Sequence, residues 1–161
     1  MVSAVSTRRQ RGFTIIEAMV VVAILAIVAA FAAPAMNQLI RTQKVRSIAY
    51  DLFADLTYAR SEAIARGHNV GIASADGSND WGVKGWFVRD LVSGDTLRQQ
   101  GPRATGVKFT ADSTGLVFQP TGRLVGAASF TVQPAESAPD DQKRCIRISP
   151  SGKPNSTTGI C

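Results

Sequence analysis

Apolar positions along this chain change rhythm twice. From 13 to 33 the sequence FTIIEAMVVVAILAIVAAFAA is apolar or small at every one of its 21 positions except Thr14 and Glu17. As a helix rising about 1.5 Å per residue, such a run spans roughly 30 Å, one hydrocarbon core. Pro34 follows, and its missing N–H predicts a kink or local loosening of the helix. Beyond it the apolar positions thin to one stripe: Val45, Ile48, Ala49, Leu52, Phe53, Leu56, Ala59, Ala63 and Ile64 recur at i, i+3, i+4 and i+7. Arg41, Lys44, Arg46, Asp51, Asp55, Arg60 and Glu62 fall largely off that stripe. Gly67 suits the position just past a helix end, with Arg66 near the negative end of the helix dipole. The pattern predicts one long helix from about 13 to 66, interrupted near Pro34.

After Gly67 the texture becomes short apolar runs between turn residues. Stretches 69–74, 85–89, 96–100, 107–110, 115–119, 128–133 and 144–149 read as strands. Asp76-Gly77, Ser93-Gly94-Asp95, Gly101-Pro102 and Thr121-Gly122 are turn signals. No helical crossover separates the strands, so antiparallel pairing is expected. Val107, Phe109 and Val117, with Leu116 or Phe118, can supply a sheet face that covers the helix stripe. The predicted class is α+β, a long N-terminal helix packed against an antiparallel sheet or pair of sheets. Stretch 133–142, with two prolines and three acids, reads as an exposed loop.

Charge changes this picture only at the N-terminus. Of the 18 basic residues, Arg8, Arg9 and Arg11 precede the apolar run, where they fit a cytoplasmic N-terminus under the positive-inside rule. Without them the chain has 15 basic against 12 acidic residues, so half of the formal +6 belongs to this lead. A remaining +3 is too mild to argue for nucleic acid by itself. The lead has no small-residue A-x-A cleavage site of an ordinary secretory signal, so the apolar helix is expected to stay on the protein.

Glu17 is the odd residue of the run. A carboxylate well inside a membrane helix costs about 2.5–3.5 kcal/mol on insertion scales, and less near a helix end. One reading is a tolerated acid near the end of an anchor. The other is an acid with a positive partner, of which a free amine on a processed Phe13 would be an example.

The junction Gly12-Phe13-Thr14-Ile15-Ile16-Glu17, followed by an unbroken apolar run and Pro34, resembles the class III signal of type IV pilins and type II secretion pseudopilins. The resemblance implies cleavage between Gly12 and Phe13 by a prepilin peptidase, N-methylation of Phe13 and a role for Glu17 in filament assembly. Pro34 matches the family's helix-kinking proline. Further along, Ala59-Arg60-Ser61-Glu62-Ala63-Ile64-Ala65-Arg66-Gly67 is similar to the same point in the GspH/FimT branch. So are Gly85-Trp86, the Phe118-to-Gly122 F-x-P-x-G, and Cys145-Ile146-Arg147-Ile148-Ser149 running into Pro150-Ser151-Gly152-Lys153. The implied organisation is a leader at 1–12, a transmembrane or filament-core half-helix at 13–34, an amphipathic half-helix at 35–66 and a β-rich head at 67–161. The implied function is that of a minor type IV pilin of the FimT/FimU kind, a non-catalytic filament subunit that primes assembly or sits near the tip. Its partners would be other major and minor pilins, the prepilin peptidase and the inner membrane, with the head periplasmic before it enters the filament. The alternatives are a GspH-type minor pseudopilin of type II secretion and a DNA-binding competence pilin.

Cys145 and Cys161 are the only cysteines. With an exported head, a disulfide between them is the default. The polar stretch 152–159 is expected to be flexible and to need that tether. His68, the sole histidine, is expected to make a local hydrogen bond, and no G-x-S-x-G accompanies it. Asp76, Ser78 and Asp80 alternate like the opening of a calcium loop, but its twelfth position is Phe87, so a polar turn is expected. A phosphate loop ending at Gly152-Lys153 would need glycine at Arg147 and serine or threonine at Pro154. Trp81, Trp86 and Phe87 are expected in packing. No catalytic residue, metal site or cofactor is read from the chain. Arg144, Arg147 and Lys153, with Lys143 and Arg123 nearby, form the one basic cluster to which DNA phosphates are assigned as a possible ligand. DNA-binding FimT relatives carry G-R-x-R here, whereas this chain has Gly152-Lys153-Pro154-Asn155.

Overall fold

The computed structural model describes residues 13–103 and 106–161, and at 33–35 the backbone only. The leader with Gly12 lies outside the described residues, as does the side chain of Pro34 with the kink expected of it. The chain divides into two compact units, Met1–Gln38 and Leu39–Cys161. One helix, α1 (Ile15–Arg66, 52 residues), runs through both, as the long helix expected from the sequence.

In the first unit every described side chain of α1 is exposed. An 18-residue window there has a mean hydropathy of 2.8 and none of it is buried. This half of the helix is long and apolar enough to cross a membrane, and no described residue of its unit covers it.

The second unit holds the rest of α1 and two four-stranded antiparallel sheets. Strands β1 (Val70–Ser74), β2 (Trp86–Asp90), β3 (Thr96–Gln100) and β5 (Gly115–Phe118) form one in the order β3-β2-β1-β5. Strands β4 (Val107–Ala111), β6 (Ala128–Pro134), β7 (Arg144–Ile148) and β8 (Pro154–Thr158) form the other in the order β4-β6-β7-β8. The helix stripe meets their inner faces: Val45, Ile48, Ala49, Leu52, Leu56, Ala59 and Ala63 are buried in one core with Ile72, Val88, Phe109, Phe118, Phe130 and Ile146. Aromatic rings link the two sheets. Trp86 on β2 lies 5.9 Å from Phe109 on β4, Phe109 lies 6.0 Å from Phe130, and Phe130 meets Trp81 edge-on at 4.8 Å.

Four expectations need correction. Stretch 152–159 is not a loose tail, because β8 pairs with β7 from Arg144↔Thr158 to Ile148↔Pro154. Its sequence is polar because every strand residue after Pro154 is exposed at the sheet edge, so the period-2 signal has no apolar phase to show. A short helix, α2 (Trp81–Lys84), was also not read from the sequence. It is started by Asp80, whose carboxylate accepts the Gly82 N–H. Within the stretch read as loop, Asp140–Gln142 forms one turn of 3₁₀ helix. On α1, Phe53 is half-buried and Ile64 exposed, whereas Asp55, expected off the stripe, is buried.

Candidate functional site

At the start of α1, Thr14 acts as the N-cap. Its Oγ1 accepts the Glu17 N–H at 3.3 Å, and its carbonyl accepts the Ala18 N–H at 3.2 Å. Thr14-Ile15-Ile16-Glu17 therefore has the spacing of a capping box, with the acid in the first turn at the positive end of the helix dipole. Glu17 is exposed, and Phe13 is 75% exposed beside it. The T-x-x-E signal was present in the sequence but was masked there by the cost of placing an acid in an apolar run. Cleavage at Gly12 would leave this cap intact, since Thr14 lies on the retained side.

The head half of α1 has two polar flanks bordering its buried stripe. Asp51, Asp55 and Glu62 lie along one flank. Buried Asp55 accepts the Trp86 Nε1–H at 2.8 Å and an Arg98 N–H at 2.9 Å. The Asp55 hydrogen bond is the main cause that raises the Arg98 pKa above its ordinary value, and the same guanidinium lies 4.2 Å over the Tyr58 ring. Asp51 pairs with Arg103 at 3.3 Å and Glu62 with Arg66 at 2.7 Å. At the helix end Arg66 also reaches buried Asp90 at 3.2 Å. Burial alone would raise the Asp90 carboxyl, but the N–H groups of Val92 and Ser93, then His68 and Arg66, outweigh it and hold it below the usual range. His68 Nδ1 stands 3.4 Å from Asp90 Oδ1 and makes no hydrogen bond there, contrary to the local bond expected of it.

Arg60 joins three distant stretches on the other flank. Its Nε donates to the Gly122 carbonyl at 3.0 Å. Gly122 and Gly152 both hold positive φ, 74° and 76°, and a Cβ on Gly152 would stand 1.9 Å from the Gly122 oxygen. Three short motifs far apart in sequence thus close on one another.

Cys145 and Cys161 form a disulfide with Cα atoms 5.0 Å apart. It fastens the end of the β7–β8 hairpin, and closing a loop of this size contributes about 3 kcal/mol on the chain-entropy model. The basic cluster is split by strand alternation. Arg147 lies opposite Asn155 on the outer face of β7, and exposed Lys153 shares the alternation phase of Asn155. Arg147 donates to the Cys161 carbonyl at 2.6 Å. Arg144 has the phase of Ile146 and Ile148, so it sits on the face turned toward α1, where it donates to Thr158 Oγ1 at 2.8 Å. Around Asp76 the alternating polar residues satisfy one another. Ser74 Oγ donates at 2.7 Å and the Ser78 N–H at 2.9 Å, and these bonds lower Asp76 from 3.8 to about 2. Among the described residues no group of His, Cys, Asp and Glu can hold a metal ion.

The head matches the family model described as type II transport protein GspH over residues 49–152. The chain belongs to the GspH family. The GspH match takes in Arg60, Gly122 and Gly152 but ends before β8 and Cys161. A second model, the prokaryotic N-terminal methylation motif, matches residues 7–33. Two crystal forms of the type IV minor pilin FimU from Pseudomonas aeruginosa strain PAO1 share the fold of this GspH-family chain. One superposes with a TM-score of 0.59 at 28% identity, covering 70% of this chain and 91% of that one. The other gives 0.60 at 29% identity, covering 71% and 89%. Among curated proteins no relative matches. The long helix and antiparallel sheets of this GspH-family chain are the pilin fold expected from the sequence.

Proposed function

We propose that this chain is a minor type IV pilin, a non-catalytic filament subunit that assembles with other pilins. The observation that carries the reading is the pairing of two features. An N-terminal methylation motif over residues 7–33 takes in an apolar helix that no described residue of its own unit covers, and the head that follows resembles that of FimU. Before assembly the helix anchors the chain in the inner membrane, with the basic lead cytoplasmic and the head periplasmic. Prepilin peptidase cuts between Gly12 and Phe13, and Phe13 is methylated. In the filament the apolar half-helix packs among those of neighbouring subunits, with Glu17 as the assembly acid. A second reading, a minor pseudopilin of type II secretion, is supported by the description of the GspH model. DNA binding has less support, since Arg144 does not share a face with Arg147 and Lys153.

Intact-mass analysis of the membrane-extracted chain tests the processing: it should begin at a singly methylated Phe13. A chain still beginning at Met1 in cells with active prepilin peptidase rejects the reading. Sheared surface filaments separate the two machines. The chain is expected in pilus fractions, and its deletion should abolish piliation. Intact pili with lost protein secretion would favour the pseudopilin.

A further inference from the structure

The two flanks of α1 in the head are unequal. On the flank of Asp51, Asp55 and Glu62, each acid meets an arginine at 2.7–3.3 Å. The opposite flank carries Arg46, Tyr50 and Phe53 at i, i+4 and i+7. Together with Ala49, Arg144 of β7 and Ser156 of β8, they line a groove of about 380 Å³. Two guanidinium groups border it, and its lining includes no carboxylate. Tyr50 is 72% exposed and Arg46 is exposed, and among the described residues Arg46 has no ion pair while Arg144 bonds only a neutral hydroxyl. One wall is β8, an edge strand whose outer backbone groups have no ladder partner among the described residues.

We infer that this groove docks an extended acidic segment of a neighbouring subunit, one with an apolar side chain beside a carboxylate. Charge complementarity identifies the occupant. On the closed flank Asp51, Asp55 and Glu62 each hold an arginine, and among the described residues Arg46 and Arg144 beside the open groove hold no carboxylate. Tyr50 and Phe53 cover the apolar side chain over Ala49, Arg46 and Arg144 clamp the carboxylate from two sides, and the β8 edge takes the extended backbone as an added strand. That the segment comes from a neighbouring subunit rests on the filament reading; its chemistry does not.

The test has two arms. In the first, the detergent-solubilised full chain is titrated with a fluorescein-labelled peptide, Thr-Val-Phe-Glu-Val-Thr, and with its Glu-to-Gln counterpart. The acidic peptide should bind roughly tenfold tighter, the size of one well-formed charge-assisted contact. The preference should weaken with salt and disappear in the double variant Arg46→Ala, Arg144→Ala, but persist in Arg123→Ala, an exposed arginine outside the groove. Unchanged unfolding of the double variant shows that the fold is kept. No binding, equal binding of the two peptides or an undiminished preference in the double variant overturns the proposal. So does a short oligothymidine that binds tighter than the peptide and is lost with the same two arginines, since the groove would then read phosphate. In the second arm, Arg46→Glu with Arg144→Glu should leave processing intact and reduce the chain in sheared filaments several-fold. Wild-type abundance of that variant in filaments overturns the neighbouring-subunit assignment. Absence of the wild-type chain from filaments rejects the filament reading instead, and leaves the peptide result to judge the groove.

Discussion

The two halves of α1 have the same backbone and opposite surroundings. Between Ile15 and Gln38 the helix is apolar on every side and every described side chain is exposed. Past Leu39 it is apolar on one stripe, whose centre from Val45 to Ala63 is buried in the head while Phe53 and Ile64 at its margin are not. A helix apolar all round belongs in a membrane or among other helices, while one with a single stripe belongs on its own domain. The first half is therefore built for a partner outside the chain and the second for one inside it. Substitutions of the same kind should have unlike effects in the two halves.

The largest contrast concerns matched leucines. Leu52 is fully buried in the core, and Leu25 is 60% exposed. Leu52→Ala should destabilise the head by about 2–5 kcal/mol through lost burial and an unfilled cavity. Leu25→Ala should leave head stability unchanged. Trp81 and Trp86, both buried in the head, report its unfolding by fluorescence in the detergent-solubilised chain. Similar denaturant midpoints for the two variants would erase the distinction between the halves.

A second contrast sets the two acids of the helix against each other. Asp55 is buried against Trp86 and Arg98, whereas Glu17 is exposed. Asp55→Ala leaves the buried Trp86 N–H unpaired, and should cost about 2–3 kcal/mol of head stability. Arg98, partly exposed, can turn to water and limits the loss. Glu17→Ala should not move the head transition at all. A head transition that moves as far for Glu17→Ala as for Asp55→Ala would show that the halves are coupled.

What the sequence disclosed follows the same division. The anchor half was legible because its signal is composition over 21 positions, which needs no knowledge of a partner. The buried stripe was legible from its period, and so were seven of the strands, six of which turn an apolar phase into the core while β3 sends only half-buried Leu97. The polar strand β8 was not, because an exposed edge strand has no apolar phase. Nor was buried Asp55: a charged residue reads as surface unless its partners are known, and Trp86 and Arg98 lie 31 and 43 residues away. The motifs at Arg60, Gly122 and Gly152 were each weak in sequence because their shared cause is a contact in three dimensions.

Acid should also discriminate. The hydrogen bonds to Asp76 hold its folded pKa at about 2, below the ordinary 3.8. A depressed carboxylate contributes stability above its unfolded pKa and loses it as pH falls through the folded value. Head stability should therefore decline between about pH 4 and pH 2, with Asp90 adding in the same direction. Asp76→Asn should flatten that decline, as read by Trp fluorescence against pH. An acid limb identical to wild type would assign the loss to other carboxylates.

The smallest effect decides what Glu17 does. Two physical accounts fit its position. In one, it completes the cap that begins at Thr14 and settles the first turn of the helix, worth about 1 kcal/mol locally. In the other, its charge meets a positive group, such as the amine of a processed Phe13, when the chain enters a filament. The accounts separate on Thr14→Ala, which removes the hydroxyl that accepts the Glu17 N–H and keeps the charge. They separate again on Glu17→Gln, since glutamine serves at the third position of a capping box but carries no charge. If charge pairing is the role, Glu17→Gln should lower the chain in sheared filaments as strongly as Glu17→Ala, and Thr14→Ala should have little effect. Processing and membrane retention should be normal in all three. A Thr14→Ala chain as depleted from filaments as Glu17→Ala, with Glu17→Gln near wild type, would assign the acid to the helix end and leave the positive N-terminus without its partner.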